Sequence, residues 1–127
     1  MPVRTGISGE VDLVVASEDT AIAFRSGDVP VLATPRIVAL VEEACCLAIA
    51  PHLAADDTSV GMRVELAHLQ PVPVGGSVRA EAVLERAEGR RLTFTVSVKN
   101  ESGLVAAGKV TRVLVTRDLF LERATNT

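Results

Sequence analysis

Alternating apolar and polar residues predict five strands, four of them after residue 58. An early alternating segment at residues 10–17 predicts the first strand. The other four segments are separated by clusters of Gly, Pro and Asn, which are typical of turns, and cover residues 59–69, 77–87, 91–99 and 104–116. Short glycine-containing turns join the last three segments, so we expect them to form an antiparallel meander.

One long segment, residues 35–50, predicts a helix and is apolar on every side. Thr34 precedes it and can cap the free amides of the first turn. Pro51 ends it, because proline cannot extend the helical hydrogen bonds. A helix that is apolar all round is normally buried, so a charged residue on it needs a partner or a function. The charged residues on this helix are Arg36, Glu42 and Glu43.

The order of the elements, a strand, a long apolar helix and four more strands, predicts an α+β protein. A curved antiparallel sheet wrapped around one long helix would explain why that helix is apolar on every side. This arrangement is the hotdog fold, and the length of 127 residues suits a single hotdog domain over residues 1–127. Such a sheet leaves open edges that a second copy can cover, so we expect a homodimer or a higher homo-oligomer.

Composition argues against several classes of function. The net charge is −3 without a basic run, and Trp and Tyr are absent, so we expect no binding to nucleic acid. No segment has the features of a signal peptide or a membrane span, so we expect a cytoplasmic protein without a membrane partner.

Cys45 and Cys46 are adjacent on the helix, where a disulfide between them would disrupt it, and both are expected in the core as free thiols. No His or Cys cluster supports a metal site, and we expect no cofactor.

Three short motifs resemble the fluoroacetyl-CoA-specific thioesterase family. They are Leu-Ala-Thr-Pro-Arg-Ile-Val-Ala-Leu-Val-Glu-Glu-Ala-Cys from residue 32, Ala-Pro-His-Leu from residue 50, and Gly61 followed by His68. The similarity extends over residues 31–115 and includes Glu-Gly-Arg-Arg-Leu from residue 88, and Gly108 with Arg112. The resemblance implies a hotdog-fold enzyme that hydrolyses acyl-CoA thioesters.

The resemblance also implies which residues do the chemistry. Thr34, Glu42 and His68 match the catalytic group of the family. Thr34 would position water or attack the thioester carbonyl, while Glu42 and His68 would transfer protons or Glu42 would orient His68. Gly61 and Arg112 match further positions of the active site, where Arg112 would form a salt bridge or contact the acyl-CoA. Amides near Thr34 or Gly61 would stabilise the oxyanion.

Each of these residues also has a structural interpretation. Taken alone, Thr34 is a helix cap, Glu42 a surface or arginine-paired glutamate, and His68 a core or strand-end histidine. Periodicity does not decide between Glu42 and Glu43, and only the family position favours Glu42. Eight helical residues span about 12 Å, so Thr34 and Glu42 cannot hydrogen-bond within a regular helix. Either the first turn is irregular, or the substrate bridges the gap, or groups from two subunits meet at a dimer interface.

The chain departs from the fluoroacetyl-specific enzyme at a lid phenylalanine that helps to select the fluorinated substrate. The corresponding segment, residues 27–32, contains no phenylalanine, and Phe24 lies further upstream. We therefore expect an acyl-CoA thioesterase for a short or compact acyl group, with the acyl group and the choice between CoA and a carrier protein left open. The alternative is a non-catalytic hotdog module that binds acyl-CoA or another apolar ligand. A hotdog hydratase is disfavoured, because the sequence lacks the Asp-(four residues)-His arrangement of that class.

Overall fold

The computed structural model describes residues 3–125, and its strands form a five-stranded antiparallel sheet. The strands are β1 (Ser8–Val14), β2 (Asp57–His68), β3 (Ser77–Glu88), β4 (Arg91–Asn100) and β5 (Gly103–Thr116). Their order across the sheet is β1-β3-β4-β5-β2, and every neighbouring pair is antiparallel. The predicted meander of β3, β4 and β5 is confirmed, and β1 and β2 lie at the two edges of the sheet.

One long helix packs on this sheet, and shorter helical segments flank it. The long helix is α2 (Thr34–Ile49), and the other α-helices are α1 (Ala21–Phe24) and α3 (Arg117–Thr125). Short 3₁₀ turns occur at Ser17–Asp19 and Ala50–His52. The sequence pattern did not predict α3, whose residues are all at least partly exposed, so that no apolar face marks it. Within residues 3–125, no helix is long and apolar enough to cross a membrane.

The core lies between one face of α2 and the inner face of the sheet. Apolar residues of the helix recur at the spacing of one helical face and are buried there: Ile37, Leu40, Val41, Ala44, Cys45, Ala48 and Ile49. The alternating residues of β3 that meet them are Val78, Ala80, Ala82 and Leu84. Gly9 of β1 lies directly against the helix backbone at Ala44 and Ala48, where a side chain would not fit.

The opposite face of α2 is exposed in the single chain. Leu47 has 49% of its surface accessible, and Cys46 is also exposed. The expectation that apolar residues on every side mean burial on every side is therefore wrong for this protomer, because the sheet covers only one face of the helix.

Candidate active site

Thr34 begins α2, and its hydroxyl contacts a histidine rather than the helix backbone. Ala33 occupies the N-cap position, and no side chain caps the helix there, so the predicted capping role of Thr34 is wrong. Its Oγ1 lies 2.7 Å from Nδ1 of His68, at the end of β2. The amides of Thr34 and Arg36 lie in the first turn, where α-helix geometry supplies no acceptor for them, and Pro35 between them has no N–H.

The two hydrogen bonds of His68 define the protonation of its neutral ring. Its Nε2 lies 3.1 Å from the main-chain carbonyl oxygen of Gln70. A carbonyl oxygen can only accept, so Nε2 carries the proton and Nδ1 accepts from the hydroxyl of Thr34. The Gln70 carbonyl is itself held in place, because the amides of Leu69 and Gln70 both donate to the carbonyl of Val105. We call Thr34 and His68 the hydroxyl–imidazole pair.

A second group surrounds Glu42 in the middle of α2. Nη1 of Arg112 donates to Oε2 of Glu42 across 3.0 Å, and the Arg112 side chain is only 9% exposed. Arg112 also donates to the side-chain and main-chain oxygens of Ser59, with Nε 2.9 Å from Oγ and Nη2 3.0 Å from O. Glu43, the neighbour that periodicity could not exclude, is exposed to solvent. We call Glu42, Arg112 and Ser59 the carboxylate cluster.

Gly61 makes room for this cluster. A Cβ at position 61 would lie 2.5 Å from Oε2 of Glu42 and 3.5 Å from Nη1 of Arg112. Gly61 is also the direct partner of Arg112 in the pairing of β2 with β5, so the two residues share one face of the sheet. A methyl group at this position would therefore displace the carboxylate of Glu42 from the place in which it binds Arg112.

A β-bulge in β2 brings Gly61 and His68 to the same face. The register against β5 shifts between Gly61 and Arg63, which makes Met62 the extra residue. Ser59 and Gly61 before the bulge, and His68 after it, therefore all face α2. Uninterrupted alternation along the predicted segment 59–69 places Val60 and Met62 on the face of His68. This prediction is wrong, because it does not allow for the extra residue.

The structure thus brings the five predicted site residues into two groups. Thr34 and His68 form one, and Glu42, Gly61 and Arg112 form the other. Glu42 follows Thr34 by eight helical residues, which correspond to about 12 Å along the axis. The described contacts of Glu42 are with Arg112 and not with His68, so Glu42 does not orient the imidazole within the protomer.

Sequence reasoning missed two groups of the site. Ser59 lies two residues before Gly61 on the same strand, and this spacing was the available signal, because alternate residues share a face. The other group is the carbonyl of Gln70, which contributes through the main chain and leaves no signature in the residue type.

An ion pair anchors the segment that leads into α2. Oδ1 of Asp19 accepts from Nε of Arg36 across 2.9 Å, and the two side chains are 10% and 23% exposed. Oδ2 of Asp19 accepts from the amide of Ala16, and its main-chain oxygen accepts from the amide of Ala33. Asp19 therefore ties the preceding turn to the residue immediately before Thr34.

The two cysteines lie in different environments. Cys45 is fully buried, and burial away from water raises the pKa of its thiol to about 12. Cys46 is exposed, so the expectation of two core cysteines holds only for Cys45. Within residues 3–125, no three His, Cys, Asp or Glu side chains lie close enough together to hold a metal ion.

Arg79 and Arg63 are strand arginines with acidic partners. Nε of Arg79 lies 2.7 Å from Asp12, and its hydrogen bond holds the pKa of that carboxyl below the ordinary value. Arg63 lies 3.4 Å from Glu65 in an exposed pair. Both belong to a solvated strand face.

Comparison with protein families and known sequences identifies relatives of this chain. The family model for the fluoroacetyl-CoA-specific thioesterase matches residues 15–118. A fluoroacetyl-CoA thioesterase from Streptantibioticus cattleyicolor is 33% identical over 90 residues, which are 71% of this chain and 65% of that protein. The alignment therefore spans slightly less than two thirds of the length of this relative.

Comparison with solved structures extends the likeness to the whole fold. The structure of a fluoroacetyl-CoA thioesterase matches with a TM-score of 0.93 and 28% identity, covering 100% of this chain and 98% of that one. A hot-dog-like protein from Thermanaerovibrio acidaminovorans matches with a TM-score of 0.89 and 25% identity, covering 96% of this chain and 90% of that one. The predicted α+β hotdog fold is confirmed.

Proposed function

The chain belongs to the fluoroacetyl-CoA-specific thioesterase family, and on this premise we propose that it is an enzyme that hydrolyses an acyl-CoA thioester with a short or compact acyl group. The observation that carries the proposal is the 2.7 Å hydrogen bond from the Thr34 hydroxyl to Nδ1 of His68. A hydroxyl bound to a neutral imidazole, with the other ring nitrogen held by a fixed acceptor, is the arrangement of an activated nucleophile and its base. The fluoroacetyl group named for the relative has two carbons and is a compact acyl group.

In the proposed reaction, Oγ1 of Thr34 attacks the thioester carbonyl while Nδ1 of His68 takes its proton. The first-turn amides of Thr34 and Arg36 stabilise the oxyanion. The C–S bond then breaks, and the CoA thiolate leaves with the proton from His68. Water hydrolyses the acyl ester, releasing the free acid and restoring the hydroxyl. CoA enters only as part of the substrate, and the proposed reaction uses no metal ion, redox cofactor or other resident cofactor.

Glu42 is proposed as the carboxylate that accepts the proton of the hydrolytic water. Its ion pair with Arg112 fixes its direction, and Gly61 leaves the space that it occupies. The distance along α2 separates it from the hydroxyl–imidazole pair of the same protomer. We therefore infer that the working site combines the hydroxyl–imidazole pair of one protomer with Glu42 of its partner.

The open edge of β2 supports such a dimer. Within residues 3–125, β2 has twelve residues and a neighbouring strand on one side only, and long unpaired edges of this kind are normally covered. Antiparallel pairing of two copies of β2 around a twofold axis near Val64 and Glu65 would bring His68 of one protomer opposite Gly61 of its partner. Glu42 lies against Gly61, so the two halves of the site would meet there.

The test is hydrolysis by the purified full chain of a panel of acyl-CoA and acyl-carrier thioesters, including acetyl, fluoroacetyl and propionyl groups, followed by release of the free thiol. We expect turnover of at least one compact acyl-CoA. Absence of turnover on every thioester would overturn the proposal, and tight acyl-CoA binding without turnover would favour a non-catalytic binding module. Acylation of Thr34, detected by mass spectrometry after rapid acid quenching, separates attack by Thr34 from attack by a water that Thr34 positions. The proposed location is the cytoplasm, where both thiols would remain reduced.

A further inference from the structure

Ser59 makes two hydrogen bonds to the same guanidinium. Its Oγ accepts from Nε of Arg112 across 2.9 Å, and its main-chain oxygen accepts from Nη2 across 3.0 Å. Two acceptors on one residue bind two neighbouring N–H donors along one edge of a planar, rigid group, and this fixes the orientation of the plane as well as its position.

The remaining nitrogen of that guanidinium is the one that binds Glu42. Nη1 of Arg112 lies 3.0 Å from Oε2 of Glu42. All three nitrogens of Arg112 therefore have a partner, and a side chain that is only 9% exposed has little alternative hydration. The direction of Nη1, and with it the direction of the Glu42 carboxylate, depends on how Ser59 holds the other two nitrogens.

The main-chain oxygen of Ser59 can serve Arg112 because the sheet does not use it. Ser59 faces Leu114 of β5, but the amide and carbonyl of Leu114 are both bonded to Arg90. Ser59 and Leu114 are therefore a pair without mutual hydrogen bonds, and the carbonyl of Ser59 points away from β5, to the open side of β2. The guanidinium reaches it by passing over Gly61, which has no side chain to obstruct it.

We propose that Ser59 is a positioning residue for the thioesterase reaction, acting through Arg112 to aim the carboxylate of Glu42. This inference rests on the proposed function, since it assigns a task to Glu42 in turnover. In this proposal Ser59 acts through its hydrogen bonds to Arg112 and not on the reacting atoms. Its hydroxyl supplies the contact that the main chain cannot replace.

The kinetic test compares Ser59→Ala with Ser59→Thr and with Ser97→Ala, a half-buried strand serine on the other face of the sheet. Ser59→Ala is expected to lower kcat roughly tenfold, the loss expected for one hydrogen bond to a charged group, with KM unchanged. Ser59→Thr keeps the hydroxyl and should restore most of kcat, and Ser97→Ala should behave as the unsubstituted protein. If Ser59→Ala keeps its full kcat, or lowers it no more than Ser97→Ala does, the proposal is wrong.

A double-substitution cycle tests whether Ser59 acts through Arg112. Arg112→Lys replaces the planar guanidinium with a single ammonium nitrogen. In that background, adding Ser59→Ala should cause no further loss of kcat. If Ser59→Ala lowers kcat by the same factor in the Arg112→Lys background as in the unsubstituted protein, Ser59 acts by another route and the proposal is wrong.

A measurement without substrate separates this inference from the proposed function. The Nε–H proton of Arg112, observed by ¹⁵N NMR, should exchange slowly with water in the unsubstituted protein and at least roughly tenfold faster in Ser59→Ala, because its acceptor is lost. An unchanged exchange rate refutes the positioning role even in an active enzyme. Absence of turnover in the unsubstituted protein, by contrast, refutes the proposed function and leaves the exchange rate to decide whether Ser59 holds Arg112.

Discussion

The hydroxyl of Thr34 donates to Nδ1 of His68, and the opposite nitrogen of the same ring donates to the carbonyl of Gln70. The two bonds select one tautomer of the neutral imidazole, with its free electron pair directed at the hydroxyl. The main-chain carbonyl of Gln70 orients the imidazole ring, as a carboxylate does in many hydrolases. A carbonyl cannot take a proton from the ring, so His68 itself must hold and release the proton that it takes from Thr34.

The first prediction concerns the hydroxyl of Thr34. Thr34→Val removes the donor and keeps the shape of the side chain, and should lower kcat by about 10² to 10⁴, the range typical of acid–base and nucleophile pairs. Thr34→Ser keeps a hydroxyl and should retain most of the activity. Thr111→Val, at a threonine on the outer face of β5, serves as the control. Steady-state hydrolysis of the best acyl-CoA measures the effect, and retention of kcat by Thr34→Val would exclude a chemical role for the hydroxyl.

The fold could be predicted because its elements leave clear periodic signals. In β3 the buried positions Val78, Ala80, Ala82 and Leu84 alternate with exposed or half-buried ones, as a half-buried strand requires. The end of α2 was marked by Pro51, which falls in the 3₁₀ turn that follows the helix. α3 was missed because its residues pack no face on the core, and the helix therefore has no apolar stripe to detect.

The site could be predicted only in part, because a bulge and a long side chain determine its geometry. The extra residue Met62 changes which side chains of β2 face the helix, and nothing in the residue types around it marks the change. Arg112 reaches across Gly61 to Ser59, a contact between strands that depends on register. The family resemblance favoured Glu42 over Glu43, and periodicity gave no reason for this choice. The structure gives one, because the carboxylate of Glu42 binds Arg112 while Glu43 is exposed to solvent.

The second prediction uses the space at Gly61. Gly61→Ala places a methyl group 2.5 Å from the present position of Oε2 of Glu42, so the carboxylate must shift from the place in which it binds Arg112. We expect a loss of kcat by roughly tenfold or more and a lower urea midpoint. Glu42→Asp is shorter by one methylene and should tolerate the added methyl group. In the Glu42→Asp background, Gly61→Ala should therefore cost less stability than it does alone, and equal costs in the two backgrounds would contradict a clash with Glu42.

The third prediction compares two ion pairs of different burial. Asp19→Asn removes the charge facing Arg36, whose side chain is 23% exposed, and should lower the free energy of unfolding by about 2–3 kcal/mol, because a largely buried charge loses its partner. Asp12→Asn breaks the exposed pair with Arg79 and should leave the urea midpoint unchanged, because water screens that pair. Equilibrium urea unfolding at pH 7 measures both variants. A larger loss for Asp12→Asn than for Asp19→Asn would contradict the assignment of Asp19 as the anchor.

The fourth prediction concerns stability at alkaline pH. The thiol of Cys45 has a pKa of about 12 in the folded chain and an ordinary value of 9.0, so above pH 9 the unfolded chain loses this proton while the folded chain keeps it. The contribution of Cys45 to stability is complete below pH 9 and is lost as the pH rises towards about 12. Between these pH values, the part of the free energy of unfolding due to Cys45 should fall by about 1.4 kcal/mol per pH unit, the value for one proton. Urea unfolding in reductant between pH 8 and pH 11 measures this dependence. The free energy of unfolding should fall less steeply with pH in Cys45→Ala than in the unsubstituted protein, and the same dependence in both would contradict the raised pKa.

The last prediction tests whether one site draws residues from two subunits. His68→Ala and Glu42→Ala should each lose well over tenfold in kcat as homodimers. A heterodimer of the two, made by co-expression with two affinity tags, contains one site with an intact hydroxyl–imidazole pair from one protomer and an intact Glu42 from its partner, and should recover about half of the unsubstituted activity per dimer.

The matched control combines Thr34→Val with His68→Ala, two changes within the hydroxyl–imidazole pair. Each protomer of that heterodimer carries a defective pair, so no activity should return, because Thr34 and His68 bond within one chain. Recovery in the control and none in the test pair would mean that Thr34 and His68 act from different subunits. A lack of recovery in both would place the whole site in one protomer, and a monomer in sedimentation equilibrium would exclude the shared cleft altogether.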